Sequence, residues 1–510
     1  MRRRVNLVRV ADLTLTGKKP STITADALVV GTCSTSDGVA VVADQLPGKL
    51  VEHIESLAPR LGITGALQEV RTVPAGDGVA ADVLVLTGLG EREADGTFDR
   101  ETLRTAAGAA VRSLAGSADA VVALPVVDEA ELGAVVEGAL LGAYAYTPYR
   151  DEKSATKLTP VAHLQVATSF SRSARAKAAV ERAKVLAAAV HGTRDLVNAP
   201  PNDLFPAAFA DAAKAAVKEL GAKGVKVTVL DDKQLVAGGY GGIAGVGQGS
   251  SRGPRLVKLT YAPPKATSRV AIVGKGITFD TGGISLKPPA GMLTMKSDMA
   301  GAAAVLHTVV AAARLGLPVA VTGYLCLAEN MPSSTAQRPS DVVTMRGGKT
   351  VEITNTDAEG RLVMADGLVS AVEDGHDAVL DIATLTGAQV VALGNRTSAV
   401  MGSDDVRDEV KAAADATGEP FWPMPLPAEL KAGLKSPVAD MVNAASDRAG
   451  GMLFAGHFLA EFVGDTPWAH LDIAGPSYNE KAPFGYTPVG GTGVGVRTLL
   501  GFLEGRAGAA

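Results

Sequence analysis

The sequence predicts two unlike α/β domains: a smaller one at the N-terminus and a larger C-terminal one with a mostly parallel sheet. Three observations lead there. The chain has 510 residues, beyond the usual size of one hydrophobic core. Short Val-rich runs alternate with Ala-rich helical stretches in both halves. A polar stretch opening at Pro148-Tyr149-Arg150-Asp151-Glu152-Lys153-Ser154 has no periodicity and interrupts that alternation.

Taken in order, Met1-Arg2-Arg3-Arg4 carries the charge of a secretory leader, but Asn6, Arg9 and Asp12 break any apolar segment after it, so the start reads as a strand entering the fold. Strands are expected at 27–30, 39–42, 81–87 and 118–124, with a helix over 102–115 and one more strand at 163–167. Residues 171–190 are Ala-rich, with Arg and Lys at helical spacing. At ~1.5 Å per residue this helix spans about 30 Å, enough to bridge two domains. The chain therefore divides into an N-terminal α/β domain (1–168), a connecting helix (169–190) and a larger C-terminal α/β domain (191–510). In the last of these, strands at 225–230, 255–261, 269–274, 319–327 and 378–383 interleave with helices at 206–218, 299–315, 362–374 and 452–462. Residues 505–510 read as a frayed tail.

Composition excludes several classes. Hydrophobic residues make up 47% and charged residues 20%, which is globular rather than disordered. A net charge of -5, from 49 basic and 54 acidic residues, provides no overall field for nucleic acid or an anionic membrane. No uninterrupted apolar run reaches the ~18 residues of a spanning helix. Cys33 and Cys326 stand far apart and outside any CxxC spacing, as suits free thiols in a reducing compartment. A soluble, cytoplasmic protein is expected.

Three acidic segments carry the chemistry. In Val273-Gly274-Lys275-Gly276-Ile277-Thr278-Phe279-Asp280-Thr281-Gly282-Gly283-Ile284-Ser285-Leu286-Lys287, a strand runs into a Gly-rich turn. Met295-Lys296-Ser297-Asp298 precedes a helix, so Asp298 alone reads as an N-cap. In Asn355-Thr356-Asp357-Ala358-Glu359-Gly360-Arg361-Leu362, Thr356 and Glu359 fit a capping box. Each segment thus has a local explanation. Together they lie at strand-to-helix junctions of one domain, and a parallel sheet brings such junctions to one edge. Converging carboxylates repel unless cations join them, and a pair of divalent metals suits hydrolysis by a shared water.

No histidine falls in these segments; His307 and His470 read as structural, and an oxygen-rich ligand set leaves Mn, Mg and Zn open. Nucleotide motifs are incomplete: Gly245-Val246-Gly247-Gln248-Gly249-Ser250 lacks the last glycine of GxGxxG, and Gly348-Lys349-Thr350 has Val343 where a Walker motif needs its first glycine.

Gly274-Lys275-Gly276-Ile277-Thr278-Phe279-Asp280, Met295-Lys296-Ser297-Asp298-Met299 and above all the octapeptide Asn355 to Leu362 resemble the leucyl aminopeptidase (cytosol aminopeptidase) family. The resemblance extends through Arg194-Asp195-Leu196-Val197-Asn198, Asp381-Ile382-Ala383-Thr384-Leu385-Thr386-Gly387 and Trp468-Ala469-His470-Leu471-Asp472, covering roughly residue 185 onward. It implies a macro-like N-terminal domain and a metal-dependent aminopeptidase releasing N-terminal, preferentially Leu-like, residues from short peptides. It implies two divalent metal ions per subunit, Mn or Zn, one held by Lys275, Asp280, Asp298 and Glu359, the other by Asp280, Asp357 and Glu359. Lys287 and Arg361 would be catalytic: Lys287 polarises the substrate carbonyl while a metal-bridged water attacks, and Arg361 holds a bicarbonate that relays the proton. Met295, Asn355, Thr384, Leu385 and Gly387 would contact substrate, and the assembly would be a homohexamer. A lysine ligand requires the neutral amine, whose reference pKa is ~10.4.

Two alternatives stand beside this. A DNA-binding regulatory protein of the same fold is disfavoured by the acidic balance. A dinuclear phosphoesterase is compatible with the carboxylates alone, and the match at Lys275 and the octapeptide disfavours it.

Overall fold

The computed structural model describes residues 10–42 and 46–508; the reading of the chain's first nine residues lies outside them. There are two compact units. One holds residues 10–191 with Glu480–Val489, the other Gly192–Asn479 with residues 490–508.

In the first unit, the strands lie in the order Asp12–Thr16, His163–Ala167, Asp119–Ala123, Ala25–Thr35, Ala81–Gly88, Val70–Pro74, with Gly38–Val42 paired to Ala25–Thr35. Pairing is parallel from Asp12–Thr16 as far as Ala81–Gly88 and antiparallel at Val70–Pro74 and Gly38–Val42. Leu28, Val30, Leu84 and Val121 are buried in its core. Helix Arg100–Ser113 begins at Asp99, whose carboxylate accepts from the Glu101 and Thr102 N–H groups. It packs against helix Glu129–Gly142 so closely that a Cβ on Gly138 would stand 2.0 Å from the Arg104 carbonyl oxygen. The polar stretch after Pro148 contains a short helix, Glu152–Lys157, capped by Asp151.

The second unit is built on a sheet in the order Phe421–Pro423, Ser398–Gly402, Trp468–Asp472, Ala378–Ala383, Arg269–Asp280, Ala320–Asn330, Arg255–Tyr261, Val225–Leu230. Its centre, from Trp468–Asp472 to Ala320–Asn330, is parallel; antiparallel pairings begin on either side. The central strands are buried on both faces, which explains their continuous apolar runs. Helices Ala300–Leu315 and Gly360–Glu373 pack on Arg269–Asp280. A Cβ on Gly274 would stand 2.6 Å from Ala302 Cα, so this glycine sets the closeness of helix and strand.

Most expected elements are present within a few residues, and the departures have physical causes. The strand expected at 269–274 continues to Asp280, because its backbone stays paired to the neighbouring strand up to Asp280 opposite Asn330, despite Lys275 and two glycines. The long helix runs Ala174–Asn198 rather than over 171–190. The stretch expected to fray is helical from residue 505 as far as Gly508, within helix Val496–Gly508, where Arg506 Nε donates to Glu409 Oε2 at 2.6 Å; residues 509–510 lie outside the described residues. One helical stretch, Pro289–Leu315, is long and apolar enough to cross a membrane by composition, but 83% of its most apolar window is buried inside the protein.

Candidate metal centre

Lys275 and Asp280 come from the central strand, Lys287 from the turn after it, Asp298 from the loop before helix Ala300–Leu315, and Asp357, Glu359 and Arg361 from the entry to helix Gly360–Glu373. The structure brings all seven to one edge of the sheet. One carboxylate oxygen from each of Asp280, Asp357 and Glu359 lies within 4.8 Å of the other two. Asp298 joins through Lys275, whose Nζ is 2.8 Å from Asp298 Oδ1, 2.9 Å from Glu359 Oε1 and 2.9 Å from the Thr384 carbonyl oxygen. Lys287 Nζ is 2.8 Å from Asp280 Oδ2 and 2.5 Å from Asp357 Oδ1. Lys275, Asp280, Asp298 and Glu359 are buried, whereas Lys287 keeps 18% and Asp357 33% of the side chain exposed. The cluster therefore opens to solvent on the Lys287 and Asp357 side.

Both local capping explanations fail. Asp298 does not cap the helix after it: that helix starts at Ala300 with Met299 at the N-cap and no side-chain cap, and Asp298 turns instead to Lys275 and to the Thr384 hydroxyl at 2.7 Å. Thr356 and Glu359 form no capping box. Glu359 is itself the N-cap residue, without a side-chain cap bond. The Thr356 hydroxyl instead donates to the Gly282 carbonyl at 2.6 Å and accepts from Ser285 N–H at 2.8 Å, tying the octapeptide to the Gly-rich turn. The Asp298 and Glu359 carboxylates thus face the cluster rather than the helix starts.

The electrostatics follow from burial. Burial raises the pKa of Asp298 and Glu359, and nearby Asp280 raises both further against the pull of Lys275. Burial acts to lower the pKa of Lys275, but the surrounding carboxylates outweigh it and hold the ammonium above its ordinary value; Lys287 behaves likewise. Arg361 is pushed down to about 10 by burial, opposed by Glu359 and Asp472.

The residues fit a divalent cation. Asp298 Oδ2 and Glu359 Oε2 are buried without a hydrogen-bond partner, in a nest where four carboxylates meet two ammonium groups. Unsatisfied buried carboxylate oxygens are costly, and a cation satisfies them. Hard oxygen donors suit Mn, Mg or Zn, and any such ion competes with a lysine proton for the same site.

Arg361 Nη1 donates to the Asn443 carbonyl at 2.8 Å, its guanidinium lies 5.7 Å from the Phe454 ring centroid, and Nε is buried without a partner. Asn355 Oδ1 accepts from the Asp357 N–H at 2.9 Å, shaping the turn. Met295 is half-buried in the short helix Met295–Ser297, Leu385 follows Thr384 in the loop after strand Ala378–Ala383, and Gly387 is exposed at the start of helix Gly387–Leu393. His307 and His470 are buried, bonded to the Ala303 carbonyl and to Asp381.

Sequence reasoning missed two residues that shape the site. Asn330 Nδ2 donates to Asp280 Oδ1 at 2.9 Å and to the Thr356 carbonyl at 3.0 Å, joining two of the acidic segments. Asn443, fully buried, accepts from the Thr354 and Asn355 N–H groups and donates to the Asn355 carbonyl. Neither carries a local signal, because each acts on a segment tens of residues away.

Family models of the cytosol aminopeptidase family match twice: its catalytic domain at residues 191–500 and its N-terminal domain at 29–153. A probable cytosol aminopeptidase of Micrococcus luteus is 54% identical, covering 97% of this chain and 98% of the relative. One of Streptomyces coelicolor is 52% identical over 96% and 98%. Among solved structures, the bottromycin maturation enzyme BotP in complex with Mn is 40% identical with a TM-score of 0.82, covering 95% of this chain and all of that one. A mutant of tomato leucine aminopeptidase gives a TM-score of 0.85 at 28% identity, covering 97% of both chains.

Proposed function

The chain belongs to the cytosol aminopeptidase family, and we propose that it releases Leu-like N-terminal residues from short peptides, using two divalent metal ions per subunit, Mn or Zn. It is a hydrolase, an aminopeptidase with a divalent metal cofactor. The observation that carries this is the nest of Asp280, Asp298, Asp357 and Glu359, in which Asp298 Oδ2 and Glu359 Oε2 are buried without a hydrogen-bond partner. BotP, solved with Mn, is the relative that supports Mn as one of the metals.

Lys275, Asp280, Asp298, Asp357 and Glu359 are the proposed ligands. Metals held there supply Lewis acidity and an activated water. Lys287 is the more accessible ammonium, and it donates to the substrate carbonyl oxygen as negative charge develops there. Asp298 lies beside the free α-amine of the substrate. The backbone at Thr384 and Leu385, with Asn355, orients the peptide, while Met295 and Gly387 border the pocket for its first side chain. Arg361, whose Nε is buried without a partner, would hold a bicarbonate, which would supply a proton acceptor there. A homohexamer in the cytoplasm, and a chain divided at 168 and 190, complete the proposal. The DNA-binding alternative has no support from the site or from the relatives.

The test compares leucine p-nitroanilide and Leu-, Met-, Gly- and Asp-initiated dipeptides with their N-acetylated forms. Turnover of the free-amine substrates, fastest for Leu and Met, and none of the acetylated ones is expected. Equal rates on acetylated peptides overturn exopeptidase action, and a flat side-chain profile overturns the Leu-like preference.

A further inference from the structure

Strands Ala378–Ala383 and Trp468–Asp472 lie side by side and parallel, with Asp381 opposite His470 and Ala383 opposite Asp472. Each gives the other one fully buried carboxylate. Asp381 Oδ2 accepts from Trp468 Nε1 at 2.7 Å, and its Oδ1 is 2.5 Å from His470 Nδ1. Asp472 reaches back past the end of its neighbour. Its Oδ1 accepts from the Leu385 N–H at 3.1 Å and from the Ala474 N–H at 3.2 Å, and its Oδ2 accepts from the Thr386 hydroxyl at 2.8 Å.

The residue before those two is Thr384, and it meets the metal centre twice. Its carbonyl accepts from Lys275 Nζ at 2.9 Å and its hydroxyl donates to Asp298 Oδ1 at 2.7 Å. Thr386 is also tied forward, its hydroxyl accepting from the Gln389 N–H at 3.0 Å at the start of helix Gly387–Leu393. The loop carrying Thr384 is thus gripped immediately downstream by one carboxylate from another strand. Burying a carboxylate is costly unless its oxygens are well satisfied, and here they are satisfied by this loop.

We propose that Asp472 is a positioning residue of the metal centre: by holding the Leu385 N–H and the Thr386 hydroxyl, it fixes Thr384 so that its carbonyl and hydroxyl aim Lys275 and Asp298. This rests on the reading of the carboxylate nest as the metal site. An asparagine can retain the grip. Its carbonyl takes the place of Oδ1 for the two N–H donors, and its amide, in place of Oδ2, donates to the Thr386 hydroxyl oxygen. An alanine cannot.

The test uses the full chain. Manganese affinity of the chelator-stripped protein is measured by calorimetry, with kcat and KM on leucine p-nitroanilide and thermal melting in parallel. Asp472→Ala is expected to raise the Mn Kd and lower kcat by roughly 10–100-fold each, with KM moving less than kcat. Asp472→Asn is expected to stay within a few-fold of the parent. Thr386→Val, which removes the hydroxyl's links to Asp472 and to the Gln389 N–H and leaves Asp472 in place, should shift the Kd in the same direction by a smaller factor; it carries the test if Asp472→Ala does not fold. The proposal is overturned if folded Asp472→Ala or Thr386→Val keeps the parent Kd and kcat, even with a lower melting temperature. It is also overturned if Asp472→Asn loses as much as Asp472→Ala. A parent protein that neither binds Mn nor releases leucine refutes the metal-site reading itself; a parent that does both, with unaffected variants, refutes only the role of Asp472.

Discussion

An alanine at position 360 places a methyl group where the end of Lys275 lies. Built on Gly360, the Cβ stands 2.6 Å from Lys275 Cε, 2.8 Å from Nζ and 2.9 Å from Cδ, where ordinary contact begins at 3.4 Å. The lysine end must move by about 0.8 Å, or the helix must. A lysine tail usually swings aside at little cost, but this one is held at 2.8–2.9 Å by Asp298, Glu359 and the Thr384 carbonyl. Moving the helix instead displaces Glu359 and Arg361 from the same site. Overpacking of this kind costs ~1–3 kcal/mol of stability. A misplacement approaching 1 Å in a catalytic array costs up to about 100-fold in rate, or ~2.7 kcal/mol of barrier. Gly360→Ala is therefore expected to fold, to melt several degrees lower, and to lose roughly 30–100-fold in kcat on leucine p-nitroanilide together with Mn affinity. Gly505→Ala is the control, because its methyl meets nothing within 4 Å. A folded Gly360→Ala protein with the parent's kcat and Mn Kd refutes the slot argument.

Two further outcomes follow from buried polar side chains. His307 is buried, with its pKa pushed down to about 4 by burial against a partly compensating bond to the Ala303 carbonyl. As pH falls, the unfolded chain takes up this proton first, near ~6.5; the stability it represents is full above that pH and declines toward 4, by about 3 kcal/mol. Urea melts between pH 4 and 7 should show a shallower decline for His307→Asn, and parallel curves contradict the assignment. Asn330→Ala removes the donor shared by Asp280 and the Thr356 carbonyl, so the Mn Kd should rise about 10–100-fold by calorimetry with folding retained; an unchanged Kd shows that Asp280 is held by other means.

Much of the fold was legible because the central strands are apolar runs punctuated by glycine turns, and the helices between them are long and Ala-rich. What misled was local chemistry. Lys275 and the glycines beside it look like the end of a strand, yet the backbone stays in the sheet to Asp280. Asp298, Thr356 and Glu359 look like helix caps, yet their side chains serve the cluster or the turn beside it. In each case a long-range charged or backbone partner outcompetes the local one. The seven predicted centre residues do converge, because a parallel sheet sends successive strand ends to one edge. Asn330 and Asn443 were illegible for the opposite reason: each acts through contacts across many residues and sits in no acidic segment.

The most direct measurement starts from chelator-stripped protein and titrates Mn while following both the ions bound per chain and leucine p-nitroanilide turnover, with Asp357→Asn alongside. The stripped protein is expected to be inactive, to regain activity as a second ion binds per chain, and to lose most of that recovery in Asp357→Asn. Full activity without metal, or an unaffected Asp357→Asn variant, contradicts the assignment of the carboxylate nest as the hydrolytic centre.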